Sequence, residues 1–194
     1  MKIVFFIQSS TVILENYTIK DIPGSSGRLD VISRSILAAM LGENGLDINI
    51  EVWVFLENYG TFIFNSNDFN DDYFPKNEIL LSDYFVKYIR NMREPNPLKT
   101  VKCVNMNIFK ALQNFINLNF QIFILDEDGQ DFYPFFKNFN HNDNLLFIIG
   151  NQIGEIITSE DLTHFNFKRI SLGSQSYLAS SVIRLIKLNL RLII

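Results

Sequence analysis

Two polar side chains, Arg28 and Asp30, close the phrase Asp21-Ile22-Pro23-Gly24-Ser25-Ser26-Gly27-Arg28-Leu29-Asp30. Pro23 and Gly24 read as a turn, and Gly27 lets the backbone approach another group closely. Ser25 or Ser26 can cap a helix that opens near Arg28, and the free N–H groups of such an opening favour an anion. Spacing alone also fits a plain capped helix, with Asp30 seated on the positive end of its dipole.

Two further phrases place small-residue turns at element ends. Leu146-Phe147-Ile148-Ile149-Gly150-Asn151-Gln152-Ile153-Gly154 reads as a buried strand ending in a glycine turn. Ligands gather at the carboxyl ends of parallel strands, so Gly150 is a candidate for close backbone contact. The phrase is not a dinucleotide fingerprint, because the third glycine and the later acidic residue are missing, and there is no Walker lysine. Lys168-Arg169-Ile170-Ser171-Leu172-Gly173-Ser174-Gln175 reads as a short strand and a Gly-Ser turn, followed by a helix over residues 177–190. That helix is apolar nearly all round, which predicts burial against a second subunit.

The elements that must position these phrases follow from periodicity. Strand-like runs lie at residues 3–7, 48–55, 121–125, 145–149 and 168–171. Helical patterns occupy residues 28–41, 78–92, 107–118 and 177–190. Their alternation predicts one α/β domain over residues 1–194 with a largely parallel sheet. Residues 61–77 read as an irregular, solvated Asp/Asn-rich loop that lacks the glycine and flanking helices of a calcium-binding hand.

The bulk numbers exclude more than they assign. At 194 residues, 47% hydrophobic and 20% charged, with 19 phenylalanines, the chain reads as a well-packed globular core. No apolar run is long enough to cross a bilayer, and the first strand is too short for a signal-peptide core, so a cytoplasmic location is expected. Cys103 stands alone beside His141 and His164, so no metal site is expected. Net charge is −4. After Asp161 no acidic residue occurs, whereas Lys168, Arg169, Arg184, Lys187 and Arg191 follow, an asymmetry that could steer a polyanion.

Taken together, the three phrases resemble the SPOUT methyltransferases, and most closely the archaeal tRNA pseudouridine-54 N1-methyltransferase family. The likeness is strong at residues 21–34 and 146–188. It implies a deep trefoil knot within residues 121–194, a homodimer through the C-terminal helix, and a tRNA substrate. It also implies S-adenosylmethionine bound in the knot by Leu125, Gly150 and Leu172, Gly173, Ser174, Gln175, Ser176 and Tyr177. Val182 stands where the family usually has a cysteine. The family's Gly-Asp-His is Gly150-Asn151-Gln152 here, and its His-Ala-Asn-His-Cys is Leu178-Ala179-Ser180-Ser181-Val182. Where relatives carry arginines after a Pro-Gly pair, this chain has Leu98-Lys99-Thr100-Val101-Lys102-Cys103.

Under that resemblance, methyl transfer asks the protein mainly for positioning and electrostatics. Asp30 would accept the weakly acidic N1 proton or hold the ring N–H in line, unless it simply pairs with Arg28 or Arg34. Arg28 would hold a phosphate or a uracil carbonyl, and Arg34 a phosphate. A ribosomal RNA pseudouridine as substrate and an inactive knotted RNA-binding module are the competing readings.

Overall fold

The computed structural model describes residues 1–137, 143–150 and 165–193. Its strands are β1 (Ile3–Ser9), β2 (Leu41–Gly42), β3 (Gly45–Leu46), β4 (Ile50–Leu56), β5 (Gly60–Asn65), β6 (Lys102–Val104), β7 (Gln121–Asp131), β8 (Leu145–Ile149) and β9 (Lys168–Ser171). The helices are α1 (Ile22–Ser25), α2 (Leu29–Met40), α3 (Glu78–Ile89), α4 (Ile108–Asn117), α5 (Phe132–Phe136) and α6 (Ala179–Ile193). Side-chain caps start several of them: Asn77 accepts from the Leu80 amide and Asn107 from the Lys110 amide, both at 2.9 Å.

Seven strands form one sheet in the order β6-β5-β4-β1-β8-β7-β9, and β2 pairs with β3 as a separate hairpin. The strands from β4 to β9 in that order run parallel, while β5 and β6 add antiparallel at one end. The expected largely parallel α/β sheet is therefore present. β1 is its centre, flanked on both edges by parallel partners, which is why residues 3–7 are apolar without alternation.

The reading of residues 61–77 as a solvated loop is corrected. Residues 60–65 form β5, paired along β4, and Phe62 and Phe64 are buried. Their aromatic run was overshadowed by the polar stretch behind it. In that stretch Asp71 accepts from the Leu46 amide and from Lys76 Nζ, both at 2.8 Å, so it ties the β2–β3 hairpin down.

Alternating side chains feed two cores, one on each sheet face. Phe5, Ile7, Val52, Val54, Phe123 and Phe147 pack with Leu29, Ile36, Phe85, Ile183, Ile186 and Leu190 of the helices on one side. Val4, Phe6, Trp53, Phe55 and Ile148 pack with Leu112 and Phe115 of α4 on the other. Rings dominate both: Phe123 and Phe147 stack with centroids 5.6 Å apart, and Phe6 meets Phe115 edge-on at 5.5 Å. Each fully buried Phe contributes roughly 1.5–3 kcal/mol.

The last helix is locked to α2 by a buried cation. Lys187 Nζ donates to the carbonyls of Ala38 (3.0 Å), Ala39 (2.6 Å) and Leu41 (2.8 Å), and lies 2.8 Å from an Asp47 carboxylate oxygen. The open C-terminus of α2 is thus capped by a positive charge, where the helix dipole favours one.

Candidate active site

The crevice that gathers the candidate residues lies at the carboxyl ends of β1 and β8. Its volume is about 510 Å³. Residues 7–11 form one wall, Arg28 with Val31 and Ile32 of α2 a second, and Gly150 with residues 176–179 a third. Three chain segments distant in sequence meet because β1 and β8 are neighbours and α2 and α6 pack on the same sheet face.

The first phrase folds in an unusual way. Ile22–Ser25 is a single helical turn rather than the expected tight turn, with Asp21 accepting from the Gly24 amide at 3.1 Å. Ser26 is fully buried, and its hydroxyl accepts from the Leu29 amide at 3.0 Å, so Ser26 rather than Ser25 serves the first turn of α2. Gly27 has φ +58, and a Cβ there would stand 1.7 Å from the Thr11 carbonyl oxygen. The close approach expected of Gly27 is thus to the segment after β1, and no residue but glycine fits. Thr11 Oγ1 donates to the Gly27 carbonyl at 2.8 Å, and the Ile13 amide to Ser26 O at 3.2 Å.

Arg28 follows in the left-handed region, φ 73 and ψ 35, which costs a non-glycine residue about 1–2 kcal/mol. Its partner compensates. Arg28 Nε and Nη2 donate to Asp30 Oδ1 and Oδ2 at 3.0 and 3.2 Å. Arg34 Nη2 donates to the same Oδ2, and its Nε lies 3.2 Å from Glu78. Asp30 is 3% exposed and does not line the crevice, whereas the Arg28 side chain is 46% exposed and does. Burial alone would raise the Asp30 carboxyl, but the hydrogen bonds and charges of Arg28 and Arg34 outweigh it and hold it below its ordinary 3.8. A carboxylate whose two oxygens are engaged by two arginines is a weak proton acceptor.

The expected cofactor residues fall into three groups. Gly150, Ser176 and Tyr177 line the crevice with Arg28. Leu172, Gly173 and Ser174 line a second cavity of about 370 Å³, beside Gly129, Tyr133 and Asn189, and Gln175 is exposed between the two. Leu125 is buried opposite Ile170 of β9, and Val182 packs against the main core. Gly173 has φ +118 with open space where a side chain would stand. Among the described residues, the amides of Ser174, Gln175, Ser176 and Tyr177 carry no hydrogen bond. A loop with four free main-chain donors and an uncovered glycine suits the polar ends of an adenosyl-amino-acid ligand. Residues 151–154, with His141, Asp161 and His164, lie outside the described residues.

Sequence reasoning missed residues 8–11. The available signal was an abrupt change from five apolar residues to Gln8-Ser9-Ser10-Thr11, which marks the carboxyl end of the first strand. Of the five basic residues in the C-terminal stretch, Lys168 and Arg184 are exposed and three are engaged within the chain. Lys187 is buried, Arg191 binds both Asp47 carboxylate oxygens at 2.9 Å, and Arg169 pairs with Asp126. The charge of those three is met within the chain.

Sheet order, crevice and loop together define an α/β protein with a ligand-sized crevice at the carboxyl ends of its central strands. The family described as "Putative SAM-dependent RNA methyltransferase" matches residues 1–192, and the chain belongs to it. S-adenosylmethionine is accordingly its methyl donor and RNA its substrate class. Over 204 residues the chain is 26% identical to the tRNA (pseudouridine(54)-N(1))-methyltransferase of Pyrococcus abyssi, with 96% of each covered. A Thermococcus gammatolerans protein of the same name is 27% identical over 187 residues, covering 89% of this chain and 88% of its own. The fold is similar to that of Archaeoglobus fulgidus Nep1, whose crystal structure has S-adenosylhomocysteine bound, with a TM-score of 0.65 at 15% identity over 100% of this chain and 99% of that one. The largely parallel α/β sheet expected from the motifs is the one observed.

Proposed function

We propose that this chain is a tRNA (pseudouridine-N1)-methyltransferase acting at position 54, built as one SPOUT domain with its knot within residues 121–194. The observation that carries the reading is the convergence of Arg28 with Gly150, Ser176 and Tyr177 on one crevice. The relatives of that name, matched over nearly the whole chain, supply the substrate.

Gly150 and residues 172–177 hold the cofactor through main-chain groups, with Leu125 and Val182 as the apolar backing. When bound, S-adenosylmethionine supplies an electrophilic methyl group on a sulfonium. Arg28 faces the base and stabilises the uracil oxygen on which negative charge grows as N1 loses its proton, a preorganised electrostatic role. Asp30 acts on Arg28, holding the fork in one orientation, and the proton leaves to solvent at the crevice mouth. Arg34 braces Asp30 from the far side and pairs with Glu78, a duty that replaces the expected phosphate contact.

The protein works as a homodimer in the cytoplasm. Among the described residues no helix is long and apolar enough to cross a membrane. Leu178, Leu188 and Leu192 of the C-terminal segment are 55%, 53% and 71% exposed, an apolar stripe that a second copy would cover.

Calorimetric titration with S-adenosylmethionine tests the cofactor half of this reading. Binding by the wild type and none by Gly150→Val is expected. Equal binding by both would move the cofactor elsewhere, and binding by neither would leave a knotted RNA-binding module.

A further inference from the structure

The polar side chains that line the crevice differ in what they have left to offer. Ser9 and Thr11 are committed to the fold: their hydroxyls lie 3.2 Å apart, the Thr11 amide donates to Ser9 Oγ at 3.3 Å, and Thr11 Oγ1 donates to the Gly27 carbonyl. Arg28 spends Nε and Nη2 on Asp30. Gln8 spends nothing. It is half-buried, sits at the carboxyl end of the central strand opposite Phe55, and lines the crevice. Among the described residues its amide has no hydrogen-bond partner.

A primary amide in that place has its donor and its acceptor left for a ligand. Residues 3–7 are apolar, and Val4 and Phe6, which share the Gln8 side of the strand, are fully buried in the α4 core. A half-buried carboxamide with no protein partner keeps its hydrogen-bonding groups for water or for a ligand that displaces it. Its chemistry is a planar pair of one acceptor and one donor. That pair matches an edge with an N–H beside a C=O, and of the pseudouridine edges that offer one, N3–H with O4 is the edge that leaves both N1 and O2 open.

We propose that Gln8 reads the target base through its imide edge, with its carbonyl accepting from N3–H and its NH₂ donating to O4. This rests on the reading above, that a pseudouridine enters this crevice. The assignment has a geometric consequence. In pseudouridine the sugar is attached at C5, and N1 lies across the ring from C4. A base held by N3–H and O4 leaves N1 free, with O2 available to Arg28. Gln8 therefore selects a uracil-type ring over cytosine, which lacks the N3 proton, and sets which nitrogen is presented.

The test compares tRNA carrying a single pseudouridine at the target position with the same RNA carrying N3-methylpseudouridine there, using wild type and Gln8→Ala. For wild type, N3-methylation should lower kcat/KM roughly tenfold to a hundredfold, the range for one lost bidentate base contact. Gln8→Ala should lose a similar factor on the unmodified RNA, bind S-adenosylmethionine as wild type does, and lose little more on the N3-methylated RNA. Wild type that methylates both RNAs equally overturns the proposal without any variant. So does Gln8→Ala with wild-type kcat/KM, or with the wild-type preference between the two RNAs. Those results leave the enzyme's function standing, whereas wild type that leaves the pseudouridine RNA unmethylated overturns both.

Discussion

Arg28 and Asp30, two residues apart, form a bidentate pair in which the carboxylate is buried and the guanidinium opens onto the crevice. Under the proposed function the pair divides the work: Arg28 meets the ligand, and Asp30 keeps a left-handed arginine in place.

Asp30→Asn should lower methyl transfer by about 10²-fold or more and leave the affinity for S-adenosylmethionine within twofold. It should also cost roughly 2–3 kcal/mol of stability, less than a fully buried pair because both arginines are partly exposed. The pH dependence separates this role from proton abstraction. A carboxyl depressed on folding contributes stability that is present above its ordinary 3.8 and is lost as pH falls through the lower folded value. Acid denaturation of Asp30→Asn should therefore be shallower than that of wild type below about pH 4. The wild-type rate profile should carry no inflection from Asp30 near neutrality, and one that vanishes in the variant would restore Asp30 as the base.

Gly27→Ala combines a disfavoured positive φ with a clash against the Thr11 carbonyl oxygen. A loss of more than about 2 kcal/mol is expected in chemical denaturation, together with weakened RNA methylation, because the same contact joins two crevice walls.

Leu188→Asp should convert a dimer to a soluble monomer in light scattering, since Leu188 is 53% exposed on the outer face of α6. Ile186→Asp reports on something else. Ile186 is fully buried in the chain's own core, so that variant should unfold rather than dissociate. A wild type that is monomeric at micromolar concentration would end the assembly proposal.

Lys187→Met should destabilise by about 2–3 kcal/mol, because three carbonyls at the end of α2 lose their donor while Asp47 retains Arg191. The salt dependence of RNA binding should be unchanged, since a buried lysine releases no counterions from a phosphate backbone.

These elements differ in how far the chain announces them. Parallel strands β1, β4, β7 and β8 were legible because each carries a nearly continuous apolar run, and α2, α3 and α4 because their apolar spacing is helical. β6 is three residues long and largely exposed, so no periodicity marks it. The charge of Lys187 and Arg191 misled, because their partner Asp47 is about 140 positions away and only the docking of α6 on α2 unites them. The same limit hid half the crevice. Arg28 and Gly150 stand out by their motifs, whereas Gln8 gains meaning only from being the first polar residue at the end of the central strand.

The central claim is tested most directly by nucleoside mass spectrometry of tRNA incubated with the protein and S-adenosylmethionine labelled on its methyl group. The account predicts labelled N1-methylpseudouridine at position 54, formed by wild type and strongly reduced with Arg28→Ala. Label on another nucleoside, or none on tRNA that carries pseudouridine at that position, would contradict it.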